Sequence, residues 1–280
     1  MADDATDPPL PNVRWGTNRY LQVGDERMHL VEAGSGEPRL LLVHGYASNA
    51  QGWRGVVDRL ADRFRIAAVD MVGFGWSTRT PTRPLTGDAY AERLADLLDG
   101  LEWEKADVIG QSWGGGVAQR LAAAHPERVR RLVLVATVDP GRDLWLGTGG
   151  LRLGMRFPWL ARLAVARAQR LAARAAGVSR WELARGYVDP LRLPGTEAFL
   201  DRFVAEHATS SHLDLLRIAA PTLVIGPLED RVVSPEVTRS VAARIPGARY
   251  VPIPDAGHSI AAQAPDVIAD LIAGFLDEER

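Results

Sequence analysis

Residues 108–115 read Val-Ile-Gly-Gln-Ser-Trp-Gly-Gly, and no other stretch of this chain restricts the fold as tightly. The pair Val108-Ile109 ends a short β-branched run, while Gly114, Gly115, Gly116 and Ala118 open a helical pattern, so Ser112 falls in the turn between strand and helix. A turn this sharp puts its apex residue in a strained backbone conformation, and a Cβ at the flanking glycines would collide with the neighbouring strand or helix. Ser112 is thereby presented bare at a helix N-terminus, where free amides and the positive end of the macrodipole favour developing negative charge. To act as a nucleophile it needs a base, a group that orients the base, and donors for an oxyanion.

The rest of the chain alternates short apolar runs with helical patterns. Tyr20 to Val23 and Met28 to Val31 read as two antiparallel strands around Gly24-Asp25-Glu26. The run Leu40 to Val43 follows, then helical spacing from Asn49 to Phe64, then the buried run Ile66 to Val69. Asp88 is placed as a helix N-cap ahead of Leu94, Leu97, Leu98 and Leu101, and Leu132 to Val135 reads as a strand covered on both faces. From Asp139 to about Arg217 strand runs vanish and helical signals take over, among them the capping box Ser179-x-x-Glu182. Strands return at Pro221 to Ile225 and Tyr250 to Ile253, with a helix opening at Ser234-Pro235 and a last helix placing Val267, Ile268, Leu271, Ile272 and Phe275 on one face.

This order implies an α/β fold: a mostly parallel central sheet of about eight strands flanked by helices, with a helical cap inserted after the sixth strand. The expected layout is a flexible arm over 1–12, a core of 13–138 and 218–280, and a cap over 139–217. A helical insertion between two strands cannot enter the core without breaking strand pairing, so it lies over an edge or the top. His44, Asp70, Ser112, Asp139, Asp230 and His258 all follow strand ends, which gathers them on the carboxyl rim where ligands bind in open parallel sheets.

Chain position discriminates among the six histidines. His29 lies within a strand, His125 precedes Pro126 at a helix end, and His207 and His212 belong to the insertion. His258, in Asp-Ala-Gly-His-Ser after the final strand, sits at a loop tip with Gly257 to let it turn inward and is the expected base. Asp230 is the expected orienting acid, with Asp139 as rival and Glu229 behind it. The oxyanion donors are assigned to the backbone N–H groups of Tyr46 and Trp113, and His44 is as well explained by hydrogen bonding within its loop. Val138, Trp145 and Ile260 are expected along the substrate pocket.

Composition closes off other classes. A net charge of -2 provides no field for nucleic acid, and the absence of cysteine removes disulfides, thiolate catalysis and cysteine metal sites. No apolar run reaches the length of a membrane span, and the acidic, Pro-rich start lacks the character of a signal peptide, so the expected location is cytoplasmic. Gly73-Phe74-Gly75 has Thr78 where a dinucleotide fingerprint needs its third glycine. No metal, cofactor or nucleic acid is expected; the partner is a small-molecule substrate.

The segments LLVHGYASNAQGW, AVDMVGFGWS, GQSWGG, PTLVIGPLEDRVV and DAGHS occur in the order and spacing of the α/β-hydrolase superfamily. Outside the insertion, the resemblance covers nearly the whole chain. It implies Ser112, Asp230 and His258 as a catalytic triad in the Ser, acid, His order of that fold, with Tyr46 and Trp113 at the oxyanion hole. Serine at the turn, rather than aspartate, sets the chain apart from haloalkane dehalogenases and epoxide hydrolases. It resembles the small esterase, meta-cleavage-product hydrolase and perhydrolase branches. Expected first is an acyl-enzyme hydrolase of small or medium carboxylic esters, and second a carbon–carbon bond hydrolase acting on diketo acids. Those carbon–carbon hydrolases usually carry tryptophan after the catalytic histidine, where this chain has Ser259. A third expectation is a small-ligand receptor that keeps the fold without turnover.

Overall fold

The computed structural model describes residues 15–140 and 189–278. Its eight strands are β1 (Thr17–Val23), β2 (Glu26–Ala33), β3 (Arg39–Val43), β4 (Arg65–Val69), β5 (Ala106–Gln111), β6 (Val129–Val135), β7 (Thr222–Pro227) and β8 (Arg249–Ile253). They form one sheet in the order β1-β2-β4-β3-β5-β6-β7-β8. β1 and β2 pair antiparallel with Val23 opposite Glu26 across Gly24-Asp25, and β2 pairs antiparallel with β4. From β4 to β8 every pairing is parallel, because helical crossovers rather than tight turns join these strands.

The described helices are α1 (Arg54–Leu60), α2 (Gly87–Gly100), α3 (Trp113–Ala124), α4 (Thr196–His207), α5 (Pro235–Arg244), α6 (Ile260–Gln263) and α7 (Pro265–Asp277). Side chains alternate across a strand, so each continuous apolar run supplies two core layers. Leu41, Val43, Val108, Leu132, Leu134 and Val224 face α2, α3 and α5. Leu40, Leu42, Ile109, Val133, Val135, Leu223 and Ile225 face α1, α6 and α7.

Three local expectations are corrected. The Asn49–Phe64 stretch is a 3-10 turn, Ala50–Trp53, followed by α1, with the Asn49 side chain capping the amide of Gln51. The N-cap of α2 is Thr86, whose hydroxyl accepts from the Ala89 amide. Asp88 falls inside the first turn and pairs with Arg120 instead, 2.6 Å away. On α7, Val267 is exposed, and the buried stripe runs through Ile268, Ala269, Ile272, Phe275 and Leu276.

Between β6 and β7 the regular elements among the described residues are helical: a 3-10 turn at Asp189–Arg192, α4, and a further turn at Leu215–Arg217. The capping box at Ser179, the pocket candidate Trp145 and the arm over 1–12 lie outside the described residues. Phe199, Phe203 and His207 recur every fourth residue on α4 and form its buried face. That face seats on the carboxyl rim against Phe74, which lies 5.2 Å from Phe199 and 5.6 Å from Phe203 between ring centroids. Gly73 makes the approach possible, since a Cβ there would stand 1.9 Å from the Phe199 ring. No helix among the described residues is long and apolar enough to cross a membrane.

Candidate active site

Ser112 follows β5 directly and N-caps α3 with φ 54 and ψ -122, the strained conformation expected of this turn. Its amide stays in the sheet by donating to the Val135 carbonyl at 2.9 Å, and its carbonyl accepts from Gly116 at 3.2 Å to begin the helix. The flanking glycines are required by contact. A Cβ on Gly110 would lie 2.6 Å from the Gly114 carbonyl oxygen, and one on Gly114 would lie 2.2 Å from that of His44.

The turn delivers Ser112 to His258. Oγ of Ser112 is 2.9 Å from Nε2 of His258, and Nδ1 of the same ring is 2.8 Å from Oδ2 of Asp230. Asp230 is held from its other oxygen, where Oδ1 accepts from the amides of Val232 at 2.7 Å and Val233 at 2.9 Å. One carboxylate oxygen is therefore fixed in a turn and the other faces the imidazole. With Asp230 accepting at Nδ1–H, Nε2 is left to accept from the serine hydroxyl. The loops carrying these residues are stitched together: Leu228 donates to Ile253 and Glu229 to Ala256, both at 2.9 Å. Asp139, the rival acid, instead meets Arg244 of α5 at 2.5 Å.

The loop after β3 lies against the serine, for a Cβ on Gly45 would be 3.1 Å from Cβ of Ser112. This places Tyr46 beside the turn. Trp113 is the first residue of α3, and a helix offers no internal acceptor to amides of its first turn. Both side chains are packed away: the Tyr46 ring stacks on Phe203, and Trp113 stands edge-on to it. Burial pushes the Tyr46 hydroxyl up to about 12, so it remains a neutral phenol.

His44 is not a base in this arrangement. Its Nε2 accepts from the Met71 amide at 3.0 Å, and Nδ1–H donates to the Gly45 carbonyl at 2.7 Å. Complete burial pulls its pKa below the ordinary histidine range. Asp70 supports the same loop, with Oδ1 accepting from Ala50 at 2.7 Å and Oδ2 accepting from Trp76 and meeting Nδ1 of His29, each at 2.8 Å.

A sequence profile of the alpha/beta hydrolase fold matches residues 38–265. The chain belongs to the α/β-hydrolase family. It is 31% identical over 269 residues to a 2-hydroxymuconate semialdehyde hydrolase of Pseudomonas putida, covering 93% of this chain and 94% of that protein. A protein of the same name from Pseudomonas sp. (strain CF600) is 42% identical over 114 residues, a match spanning 40% of each protein's length. Among solved structures, the enol-lactonase from Burkholderia xenovorans LB400 superposes with a TM-score of 0.77 at 25% identity, covering 93% of this chain and 100% of that one.

Within this α/β-hydrolase, Val138 is half-buried over the serine turn, its amide donating to the Ser112 carbonyl at 3.3 Å. Ile260 is fully buried in the core layer beneath α7. Two residues not singled out from sequence bear on the site. Gln111 donates from Nε2 to the His258 carbonyl at 3.0 Å, tying the residue before the serine to the loop of the imidazole. His207 accepts from the indole N–H of Trp113 at 3.0 Å. Gln111 has a signal in directly preceding Ser112, and His207 has one in its fourfold spacing with Phe199 and Phe203.

Proposed function

We propose that this α/β-hydrolase is a serine hydrolase that works through an acyl-enzyme on Ser112, with His258 as base and Asp230 as its orienting acid. The observation that carries the proposal is the continuous chain of contacts from Asp230 through His258 to Ser112, at 2.8 and 2.9 Å. As Oγ attacks a carbonyl carbon, its proton passes to Nε2, and the carbonyl oxygen turns toward the amides of Tyr46 and Trp113. The imidazolium, stabilised by ionised Asp230, then protonates the leaving group. A water, deprotonated by the same nitrogen, attacks the acyl carbon and restores Oγ–H. Residues 139–217 are proposed as a cap, supported by the seating of α4 on the catalytic rim.

For the substrate, the full-length likeness to a 2-hydroxymuconate semialdehyde hydrolase favours carbon–carbon cleavage of an enol or diketo acid, ahead of the ester reading that sequence ranks first. In that reaction the leaving group is a carbon stabilised as an enolate, and His258 supplies the same proton. Ester or lactone hydrolysis is the second reading, supported by Ser259 after His258 and by likeness to an enol-lactonase.

A fluorophosphonate probe should label the native chain and fail on Ser112→Ala, whose kcat should fall at least about 10⁴-fold with the fold intact. An unlabelled native protein would favour the receptor reading. Turnover of a vinylogous diketo acid, set beside that of a short nitrophenyl ester, separates the two hydrolytic readings.

A further inference from the structure

We infer that His207 and Phe203 of α4 are positioning residues for the oxyanion hole, holding Trp113 and Tyr46 from one helix face. The inference rests on the serine-hydrolase reading above and assigns its geometry a support from the segment between β6 and β7.

Phe203 touches both residues whose backbone amides were assigned to the hole. Its ring stacks on Tyr46 at 5.4 Å with 28° between planes and meets Trp113 edge-on at 5.5 Å. One turn on, His207 stacks on Phe203 at 4.8 Å with 12° between planes. Nε2 of His207 accepts from Nε1 of Trp113 at 3.0 Å, while Nδ1–H donates to the Leu85 carbonyl, also at 3.0 Å. Leu85 is held from the other side as well, since its amide donates to Glu206 of the same helix at 2.8 Å. The acceptor on Nδ1 fixes the tautomer, so a neutral imidazole presents Nε2 to the indole.

Trp113 is 5% exposed, so removing its acceptor leaves a buried donor without a partner and loosens the ring. Trp113 is also the first residue of α3, so its side chain and its hole-forming amide share one Cα. The ring, wedged between Phe74, Tyr90 and Phe203, anchors that Cα, so loosening it lets the start of α3 and the donor that must meet the oxyanion shift. Loss of even one such donor costs on the order of 10²- to 10³-fold. Burial pulls His207 down to about 4, so the accepting form persists through neutral and mildly acid conditions.

The test measures fluorophosphonate labelling rates of the full chain. In that step Oγ bonds to phosphorus, fluoride leaves, His258 takes the hydroxyl proton, and the phosphoryl oxygen occupies the hole. His207→Phe keeps the ring stack and loses the acceptor; labelling should slow at least about tenfold, with the Trp113 indole N–H resonance displaced. His207→Gln, which keeps an amide oxygen for the indole, should recover to within about threefold. Labelling of His207→Phe at the native rate, with the indole resonance displaced, overturns the inference and leaves the serine-hydrolase reading standing. If His207→Phe does not fold, Phe203→Leu takes its place, and an unchanged labelling rate there overturns the inference equally. Native protein that is not labelled at all overturns the underlying reading instead.

Discussion

Asp139, beyond the end of β6, meets Arg244 of α5 with Oδ2 2.5 Å from Nη2, while the carboxylate bonded to the His258 ring is that of Asp230. Asp230→Asn should therefore lower kcat by on the order of 10⁴-fold, because the wrong imidazole tautomer is favoured and the imidazolium goes uncompensated. Asp139→Asn should leave kcat within a few-fold and instead lower stability by about 1 kcal/mol or less through the weakened ion pair with α5. Steady-state kinetics on both variants, with urea denaturation alongside, separates these effects; a dead Asp139→Asn beside an active Asp230→Asn would reverse the assignment.

Gly114 and Gly274 offer opposite outcomes for the same substitution. A methyl on Gly114 would press 2.2 Å from the His44 carbonyl oxygen and 2.6 Å from that of Val43, backbone at the end of β3 that has no room to yield. Gly114→Ala is expected to cost about 3 kcal/mol or more. Gly274 lies on the exposed side of α7 with nothing within 4 Å of the position, so Gly274→Ala should stabilise by about 0.5 to 1 kcal/mol. Denaturation midpoints of the pair provide the check.

Gln111 holds the backbone of His258 rather than its ring. Gln111→Ala should lower kcat about three- to tenfold, in line with the loss of a single hydrogen bond worth roughly 1 kcal/mol. Gln111→Glu, which keeps the length but offers no donor when ionised, should do no better. A rate equal to that of the native protein in both variants would show that the β7 and β8 loops hold His258 without this tether.

Acid should loosen the fold through His207. Its pKa is pulled to about 4, chiefly by burial, with Arg120 acting in the same direction and the Leu85 carbonyl and Asp88 opposing. An unfolded histidine titrates near 6.5. The neutral form is favoured in the folded state, so the stabilising contribution is complete above about pH 6.5 and is lost as pH falls toward about 4, on the order of 3 kcal/mol in all. His207→Gln should flatten that part of the stability profile. Equal slopes in the two proteins between pH 6.5 and 4 would place the acid sensitivity elsewhere.

The serine turn could be read from sequence because its requirements are local: Gly110 and Gly114 sit where strand and helix backbones nearly touch, and only glycine fits. The parallel sheet could be read for a similar reason, since runs such as Leu40 to Val43 feed both core layers at once. Choices between neighbours of similar chemistry were not legible. Thr86 and Asp88 are both good caps, and the geometry at the start of α2 selects Thr86 while Arg120 claims Asp88. Val267 follows the apolar pattern but begins α7 on its outer side. His207 was assigned by chain position to the insertion, and its bond to Trp113 joins positions 94 residues apart, a distance no local pattern encodes.

Tyr46 lies on a short span whose two ends are both fastened to the exit of β4, His44 through the Met71 amide and Ala50 through the Asp70 carboxylate. The span behaves as a bridge with two abutments rather than as a hinged loop. Its ordering entropy is therefore lost once, when the chain folds, and not again in each catalytic cycle. Seen from the kinetics, the proposed Tyr46 donor should add little to the activation entropy of acylation, leaving the temperature dependence of that step to reflect bond making and breaking at Ser112.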